Sequence, residues 1–244
     1  MISITGARRF GLAGFLAALG ACSGGSDVAT PAPVVIPPVA QVVPGTWVVM
    51  GSSTAAGAGA PPGKGWVALI AEAYSSHGAQ IVNIAKGASA TYEGLSIAAS
   101  PVSGRPAPDP NVNIDQALSR KPVLLILSYP SNDTSRGYTS DETVNNLLAM
   151  RAQALAAGVP VIVTSSQPRN LSDVQLARLQ EIDERLAAGV GGCFVDVRAG
   201  LAGPDRRLAS GFDSGDGVHP NTDGHQKIFT TIRQLVDGGY CIKL

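Results

Sequence analysis

Short strand-like runs alternate with amphipathic helical stretches along most of this sequence, and this alternation constrains the fold more than any other feature. Apolar residues recur at helical spacing between residues 64 and 77, whereas residues 123–127 form a continuous apolar run. Such a run is typical of a strand that is buried on both faces of a sheet. The alternation predicts a three-layer α/β/α sandwich of the flavodoxin-like kind with a five-stranded parallel sheet.

The individual elements follow from the same patterns. Strands are predicted at residues 46–50, 80–84, 121–128, 160–164 and 193–197. Helices are predicted at residues 64–77, 141–157, 172–186 and 221–236. Ser172 and Gln175 form a capping-box pattern at the start of the third helix. Residues 87–112, which are rich in Ser, Pro and Gly, are predicted to be a long loop of the kind that often carries function.

The N-terminal region has the features of an export signal. Arg8 and Arg9 precede a short apolar stretch, residues 10–20, which is too short to span a bilayer. The sequence Leu-Gly-Ala-Cys that ends at Cys22 resembles the lipobox of bacterial lipoproteins, in which the cysteine carries the lipid after cleavage. We therefore expect a signal peptide at 1–21, a lipidated Pro/Ala-rich tether at 22–44 and one domain at 45–244. An ordinary secretory signal is the alternative.

Cysteine usage and charge fit an exported protein. If Cys22 is lipidated, Cys193 and Cys241 are left, and an oxidising compartment favours a disulfide between them over two buried free thiols. The lipid would anchor the protein to a membrane, and Ser23 favours the outer membrane by analogy with lipoprotein sorting. Lys and Arg total 18 and Asp and Glu total 18, without a basic block, so no nucleic acid partner is expected. We expect a monomer.

Two distant segments carry residues suited to nucleophilic catalysis. The first predicted strand runs into a turn of small residues that contains Ser52 and Ser53. Near the other end of the chain, Asp216 lies three residues before His219. A carboxylate that accepts a hydrogen bond from one imidazole nitrogen leaves the other nitrogen free to take a serine proton. Because ligands of open α/β sheets bind beyond the carboxyl ends of the strands, residues after each strand are the candidates.

Four segments together resemble the GDSL or SGNH hydrolase family, whose four blocks supply serine, glycine, asparagine and histidine in that order. The matching segments are residues 51–53, 83–89, 130–133 and 216–219. The resemblance implies that Ser53 is the nucleophile and that Asp216 and His219 activate it. It also implies an oxyanion hole formed by the backbone amides of Ser53 and Gly87 and the side chain of Asn132. The implied enzyme is a serine carboxylic ester hydrolase that needs no cofactor.

The sequence departs from the family pattern at two positions. Ser52 stands where the family has an acidic residue, and Pro130 stands where it has a glycine. The first change either alters how the turn is braced or leaves Ser52 as a competing nucleophile, and the second stiffens the loop that carries Asn132. The expected substrate is a small-molecule or polysaccharide ester with a short acyl group, such as O-acetyl on a polysaccharide. A lipase or thioesterase of the same family and a non-catalytic envelope lipoprotein are the alternatives.

Several other polar residues invite a functional interpretation. His77 and His225 lie at or within predicted helices and are interpreted as structural. Asp133 is expected to brace the loop of its neighbour by accepting backbone hydrogen bonds. Tyr92 and Arg105 lie in the long loop, where they would contact substrate or solvent. The spacing of His, Cys, Asp and Glu predicts no metal site.

Overall fold

A computed structural model describes residues 43–129, 131–239 and 241. The predicted signal peptide, the lipidation site Cys22, residues 22–42 of the predicted tether and Pro130 lie outside the described residues. Among the helices that are described, none has the length and apolar character needed to cross a membrane.

The described residues form a five-stranded parallel sheet, as the sequence predicts. Its strands are β1 (Gly45–Gly51), β2 (Ala79–Asn83), β3 (Leu124–Ser128), β4 (Val161–Thr164) and β5 (Phe194–Val195). Their order across the sheet is β2-β1-β3-β4-β5, with every neighbouring pair parallel. This is the flavodoxin-like order, and β3 lies at its centre. The predicted fold class is confirmed.

Seven α-helices connect and cover the strands in the described part of the chain. They are α1 (Trp66–Ser75), α2 (Thr91–Gly94), α3 (Ile114–Ser119), α4 (Ser131–Ser135), α5 (Ser140–Ala156), α6 (Asp173–Val190) and α7 (Thr222–Asp237). Helices α1 and α7 pack on one face of the sheet, and α3, α5 and α6 pack on the other. Alternate residues of β3 enter the two cores: Leu124 and Ile126 in one, Leu125 and Leu127 in the other. This two-sided burial explains the continuous apolar run.

Two long helices begin directly after residues whose side chains cap them. The Ser172 side chain accepts a hydrogen bond from the Gln175 amide, and the Gln175 side chain accepts one from the Ser172 amide, so the predicted capping box is confirmed. The side chain of Asn221 accepts from the Gly224 amide at 3.0 Å and caps α7. Since such caps satisfy amides that a helix leaves without partners, they fix where each helix starts.

The predicted bounds of two strands were wrong. β3 begins at Leu124 instead of residue 121, because Lys121 has a φ of 51° and belongs to the turn that follows α3. β5 contains two residues instead of the predicted five, since Cys193 lies in a 3-10 turn and Asp196 starts a new turn by accepting from the Arg198 amide. Helices α2, α3 and α4 were not predicted, and α2 lies inside the predicted loop 87–112.

A disulfide joins Cys193 to Cys241. Cys193 immediately precedes β5, and Cys241 follows α7, so the bond links the edge strand to the C-terminal tail. Cys241 is buried in the core between the sheet and α1 and α7.

Candidate active site

Loops after the first four strands and the turn before α7 meet at the carboxyl edge of the sheet. Ser53 follows β1, Gly87 follows β2, Asn132 follows β3 and Arg169 follows β4. The segment after β2 reaches the end of β1, where the Lys86 amide donates to the carbonyl of the last β1 residue at 3.1 Å. Parallel strands end at one edge, and this topology therefore assembles polar groups from distant parts of the sequence.

Ser53, His219 and Asp216 form a continuous hydrogen-bonded chain. The Nε2 atom of His219 lies 2.8 Å from the Ser53 hydroxyl oxygen, and its Nδ1 atom lies 2.6 Å from a carboxylate oxygen of Asp216. An ionised carboxylate can only accept, so Nδ1 carries the proton and the lone pair of Nε2 faces the serine hydroxyl. The structure thus brings together the three residues that the sequence marked as nucleophile, base and orienting acid.

Asp216 is held in its ionised form. Partial burial raises the pKa of its carboxyl, but hydrogen bonds from the His219 ring and from the His219 and Val218 amides outweigh burial and keep this pKa well below its usual range. Asp213 holds the turn that carries Asp216, because its carboxylate accepts a hydrogen bond from the Gly217 amide at 3.0 Å. Gly217 has a φ of 68°, a conformation that glycine adopts without strain.

Of the two adjacent serines, Ser53 is the one that faces the imidazole. Ser52 is buried, and its amide donates to the Ser128 carbonyl at the end of β3. The backbone approaches β3 so closely here that a Cβ atom on Gly51 would collide with the Ser128 carbonyl oxygen. The geometry therefore disfavours Ser52 as a competing nucleophile and offers Ser53, which is partly exposed.

The three groups that the resemblance implies for an oxyanion hole follow β1, β2 and β3 at one edge of the sheet. The amides of Ser53 and Gly87 donate to no acceptor among the described residues. The Asn132 carboxamide nitrogen donates one proton to the Ser89 carbonyl at 2.9 Å. Because a carboxamide nitrogen carries two protons, its second proton is available to a substrate.

Arg169 is a residue of the site that the sequence analysis missed. Its Nη1 atom donates to the Asn132 side-chain oxygen at 3.2 Å, and the negative charge of Asp216 acts on its guanidinium. Burial lowers the pKa of this guanidinium. The position of Arg169 shortly after β4 is the signal that could have identified it, since that position belongs to the same sheet edge.

Asp133 braces the segment that follows Gly87, as predicted. Its two carboxyl oxygens lie 3.0 and 2.9 Å from the Thr91 amide nitrogen, and Asn146 donates to the Thr91 hydroxyl at 2.9 Å. Burial raises the pKa of Asp133 to about 7, even though the Thr91 hydrogen bonds oppose this shift. Helix α4, which carries Asn132 and Asp133, is thereby tied to the loop that carries Gly87.

Two side chains brace the loop that follows the nucleophile. His225 is fully buried, with Nδ1 accepting from the Trp66 amide at 3.2 Å and Nε2 lying 2.9 Å from the Ala58 carbonyl oxygen. Because the Trp66 backbone N–H can only donate, Nδ1 accepts and the proton of the neutral ring lies on Nε2. Burial lowers the pKa of His225, which favours this neutral form. The carboxamide of Asn83 donates to the Ala55 carbonyl at 2.8 Å. The structural interpretation of His225 is confirmed, whereas His77 is exposed.

Tyr92 and Arg105 pin the long loop to α5 rather than reaching the nucleophile. The Arg105 guanidinium contacts the Glu142 carboxylate at 2.5 Å and lies 4.0 Å from the ring centroid of Tyr138. The Tyr92 hydroxyl donates to the same carboxylate at 2.9 Å. The Arg105 hydrogen bond lowers the pKa of Glu142 to about 2, so this carboxylate stays ionised at neutral pH.

A cavity of about 420 Å³ opens beside Ser53. It lies between the loop after β1, the start of α1 and the loop that carries Gly87. Elsewhere in the described residues, no group of three or more His, Cys, Asp or Glu side chains is arranged to hold a metal ion.

One family model matches the chain. It describes a GDSL-like lipase/acylhydrolase family and matches residues 49–227, a range that contains Ser53, Gly87, Asn132, Asp216 and His219. No curated protein matches the chain significantly in sequence.

Several solved structures share the fold at low sequence identity. A protein named TesA is 22% identical with a TM-score of 0.63, over 80% of this chain and 99% of its own. The psychrotrophic esterase EstA from Pseudoalteromonas sp. is 16% identical with a TM-score of 0.61, over 79% and 97%. A carbohydrate esterase of family 3 from Talaromyces cellulolyticus is 19% identical with a TM-score of 0.57, over 79% and 98%.

Proposed function

The chain belongs to the GDSL-like lipase/acylhydrolase family and is a carboxylic ester hydrolase, and from this premise we propose that Ser53 is its nucleophile. His219 acts as the general base, and Asp216 holds the imidazole in the required tautomer. The observation that carries the proposal is the 2.8 Å contact between His219 Nε2 and the Ser53 hydroxyl, backed by the 2.6 Å contact to Asp216.

The reaction proceeds in two halves. Ser53 Oγ attacks the ester carbonyl carbon while its proton passes to His219 Nε2. The negative charge on the carbonyl oxygen is stabilised by the amides of Ser53 and Gly87 and by the free N–H of Asn132. His219 then gives its proton to the leaving alcohol as the ester C–O bond breaks, which produces an acyl-enzyme. Water attacks this ester with the same base, and the acid leaves as Ser53 regains its proton.

Labelling with a fluorophosphonate probe tests the nucleophile. The wild-type protein is expected to label, and Ser53→Ala is expected to lose both the label and ester hydrolysis. Ser52→Ala is the matched control, because it removes a hydroxyl from the adjacent position while Ser53 and His219 keep their contact. Labelling that survives in Ser53→Ala, or that disappears only in Ser52→Ala, would contradict the assignment.

The proposed substrates are esters of short acyl groups, acetyl on a polysaccharide among them. The likeness in fold to a carbohydrate esterase supports a polysaccharide or small-molecule ester. A lipase or thioesterase is the alternative within the family, and hydrolysis rates across a series of acyl lengths distinguish it. From the sequence we also propose that the enzyme is monomeric, lipidated at Cys22 and held at the cell envelope.

The anchor has its own test. Cells supplied with an alkyne-bearing fatty acid should transfer it to the wild-type protein but not to Cys22→Ser. Transfer that is equal in both proteins would argue against Cys22 as the anchor.

A further inference from the structure

The turn that carries the Gly87 amide contains an alanine in a conformation that suits glycine. The Ser89 amide donates to the Lys86 carbonyl at 3.2 Å, which closes a four-residue turn with Gly87 and Ala88 at its centre. Ala88 has a φ of 64°, whereas Gly87 does not have a positive φ. A positive φ at the third residue alone is typical of a type II turn, where glycine is preferred. The left-handed region is disfavoured about tenfold for other residues, so the turn is strained.

Packing does not hold the centre of this turn. Ala88 is exposed, and a Cβ atom added to Gly87 would meet no atom of the described residues within 4 Å. The two ends of the turn are fixed, because the Lys86 amide donates to the last carbonyl of β1 at 3.1 Å and the Ser89 carbonyl accepts from Asn132 at 2.9 Å. The strained centre needs a restraint of its own, since an exposed alanine otherwise relaxes to a negative φ.

Arg136 supplies that restraint. It directly follows α4, its Nη2 atom donates to the Ala88 carbonyl at 2.5 Å, and its Nη1 atom lies 3.7 Å from a carboxylate oxygen of Glu93. The same Glu93 oxygen accepts from the Ala90 amide at 2.8 Å, at the start of α2. One guanidinium thus joins the turn to the helix that follows it, and its planar fork fixes the direction of the Ala88 carbonyl.

Resting on the proposed role of the Gly87 amide in the oxyanion hole, we propose that Arg136 is a positioning residue that acts by holding Ala88 in the left-handed region. Gly87 and Ala88 share a peptide group, so relaxation of Ala88 rotates this group and releases the backbone that carries the Gly87 N–H. A donor stabilises an oxyanion best when it already points at the place where the oxyanion forms. Arg136 takes no chemical step, because its side chain contacts Ala88 and Glu93.

Arg136→Met tests the restraint. It should lower kcat on a nitrophenyl ester about tenfold with little change in KM, because the oxyanion is absent from the ground state. Removing a donor outright costs about a hundredfold or more, and here the Gly87 amide remains but is less well aimed. Arg136→Lys should recover only part of kcat, because an ammonium lacks the planar fork. Arg233→Met is the matched control: it removes an exposed guanidinium paired with Asp237 in α7 and should keep wild-type kcat.

Ala88→Gly gives the sharper test, since glycine adopts a positive φ without a restraint. Alone it should keep kcat within about twofold of the wild type, and in the Arg136→Met background it should restore kcat to about that level. If Arg136 acted only on stability, or through its charge on Asp133, Ala88→Gly would not repair the loss. Ala85→Gly in the same background is the matched control, because Ala85 lies in the same loop without a positive φ, and it should restore nothing.

Wild-type kcat in Arg136→Met would overturn the proposal. So would a loss that Ala88→Gly leaves in place, or one that Ala85→Gly repairs equally well. Urea denaturation checks that each variant is folded, and Arg136→Lys takes the place of Arg136→Met in the rescue if the latter does not fold. Fluorophosphonate labelling reports on the nucleophile separately: a labelled Ser53 together with unchanged kcat in Arg136→Met rejects the positioning role alone.

Discussion

At Asn132, the orientation of one carboxamide decides whether its nitrogen or its oxygen faces a developing oxyanion. Arg169 offers only donors, so the Asn132 oxygen must turn towards the guanidinium, at 3.2 Å. The nitrogen then faces the Ser89 carbonyl and the substrate. Arg169 is thus a positioning residue for the proposed oxyanion donor.

Arg169→Met is predicted to lower kcat about tenfold to a hundredfold with little change in KM, because the oxyanion forms only after substrate binds. Arg169→Lys should recover part of kcat, since it restores a cationic donor with less fixed geometry. Steady-state kinetics on one ester measure both parameters. Arg178→Met is the control, because Arg178 donates to the Tyr138 carbonyl, outside the catalytic groups.

A double mutant separates the action of Arg169 through Asn132 from an action through Asp216. If Arg169 works by aiming Asn132, Arg169→Met should cost little in an Asn132→Ala background. A full additional loss in that background would instead indicate that the charge of Arg169 acts on Asp216 and His219.

Sequence reasoning identified the residues to which we assign chemical steps, but not the contact that aims Asn132. Ser53, Asp216 and His219 carry recognisable local patterns, since each lies in a short motif whose spacing the chemistry dictates. Arg169 lies in no such motif, and its role depends on a contact with Asn132 across two loops. The burial of Ser52 is likewise a consequence of how closely β1 approaches β3, which the order of residues alone does not reveal.

At the scale of elements, the sequence predicted what local periodicity and caps determine. The capping box of α6 and the two-sided burial of β3 are local signals, and both are confirmed. The short helices α2, α3 and α4 were not predicted because four to six residues are too few to display a helical period. The length of β5 was predicted wrongly because this edge strand ends where the Asp196 carboxylate accepts hydrogen bonds from the Arg198 and Ala199 amides.

His225 connects α7 to the loop after β1, so its loss should destabilise both elements. His225→Ala is predicted to lower the free energy of unfolding by about 2–4 kcal/mol, because it leaves a buried amide and a partly buried carbonyl without their partners and opens a void. Ester hydrolysis should fall as well, since the same loop carries Ser53. Urea denaturation followed by circular dichroism measures the first effect.

His77→Ala is the matched control for this prediction. His77 is exposed just after the end of α1, where its Nδ1 atom lies 3.3 Å from the Ser76 hydroxyl and its ring meets the Tyr74 ring edge-on, with 6.0 Å between the centroids. Its removal should change the free energy of unfolding by less than about 1 kcal/mol. Equal destabilisation by the two substitutions would show that the buried ring does not brace the loop.

At the scale of the whole molecule, the disulfide and the proposed catalytic groups lie at opposite ends of the strands. The proposed catalytic groups lie beyond the carboxyl ends of the strands, whereas Cys193 lies at the amino end of β5 and is joined to Cys241 after α7. The disulfide closes a loop with a sequence separation of 48 residues. A cross-link of this kind restricts the unfolded chain more than it changes the folded one.

The double variant Cys193→Ser/Cys241→Ser is therefore predicted to unfold more easily while its kcat/KM at low temperature stays within about twofold of the wild type. The chain-entropy model gives a loss of up to about 4 kcal/mol for a loop of this length. Adding dithiothreitol should destabilise the wild-type protein to a similar extent and leave the double variant unchanged, which separates loss of the bond from the effect of the serines. A wild-type protein that unfolds identically with and without reductant, despite verified reduction, would show that the cross-link does not stabilise the fold. A large loss of kcat/KM in the folded variant would show instead that the two edges of the sheet are coupled.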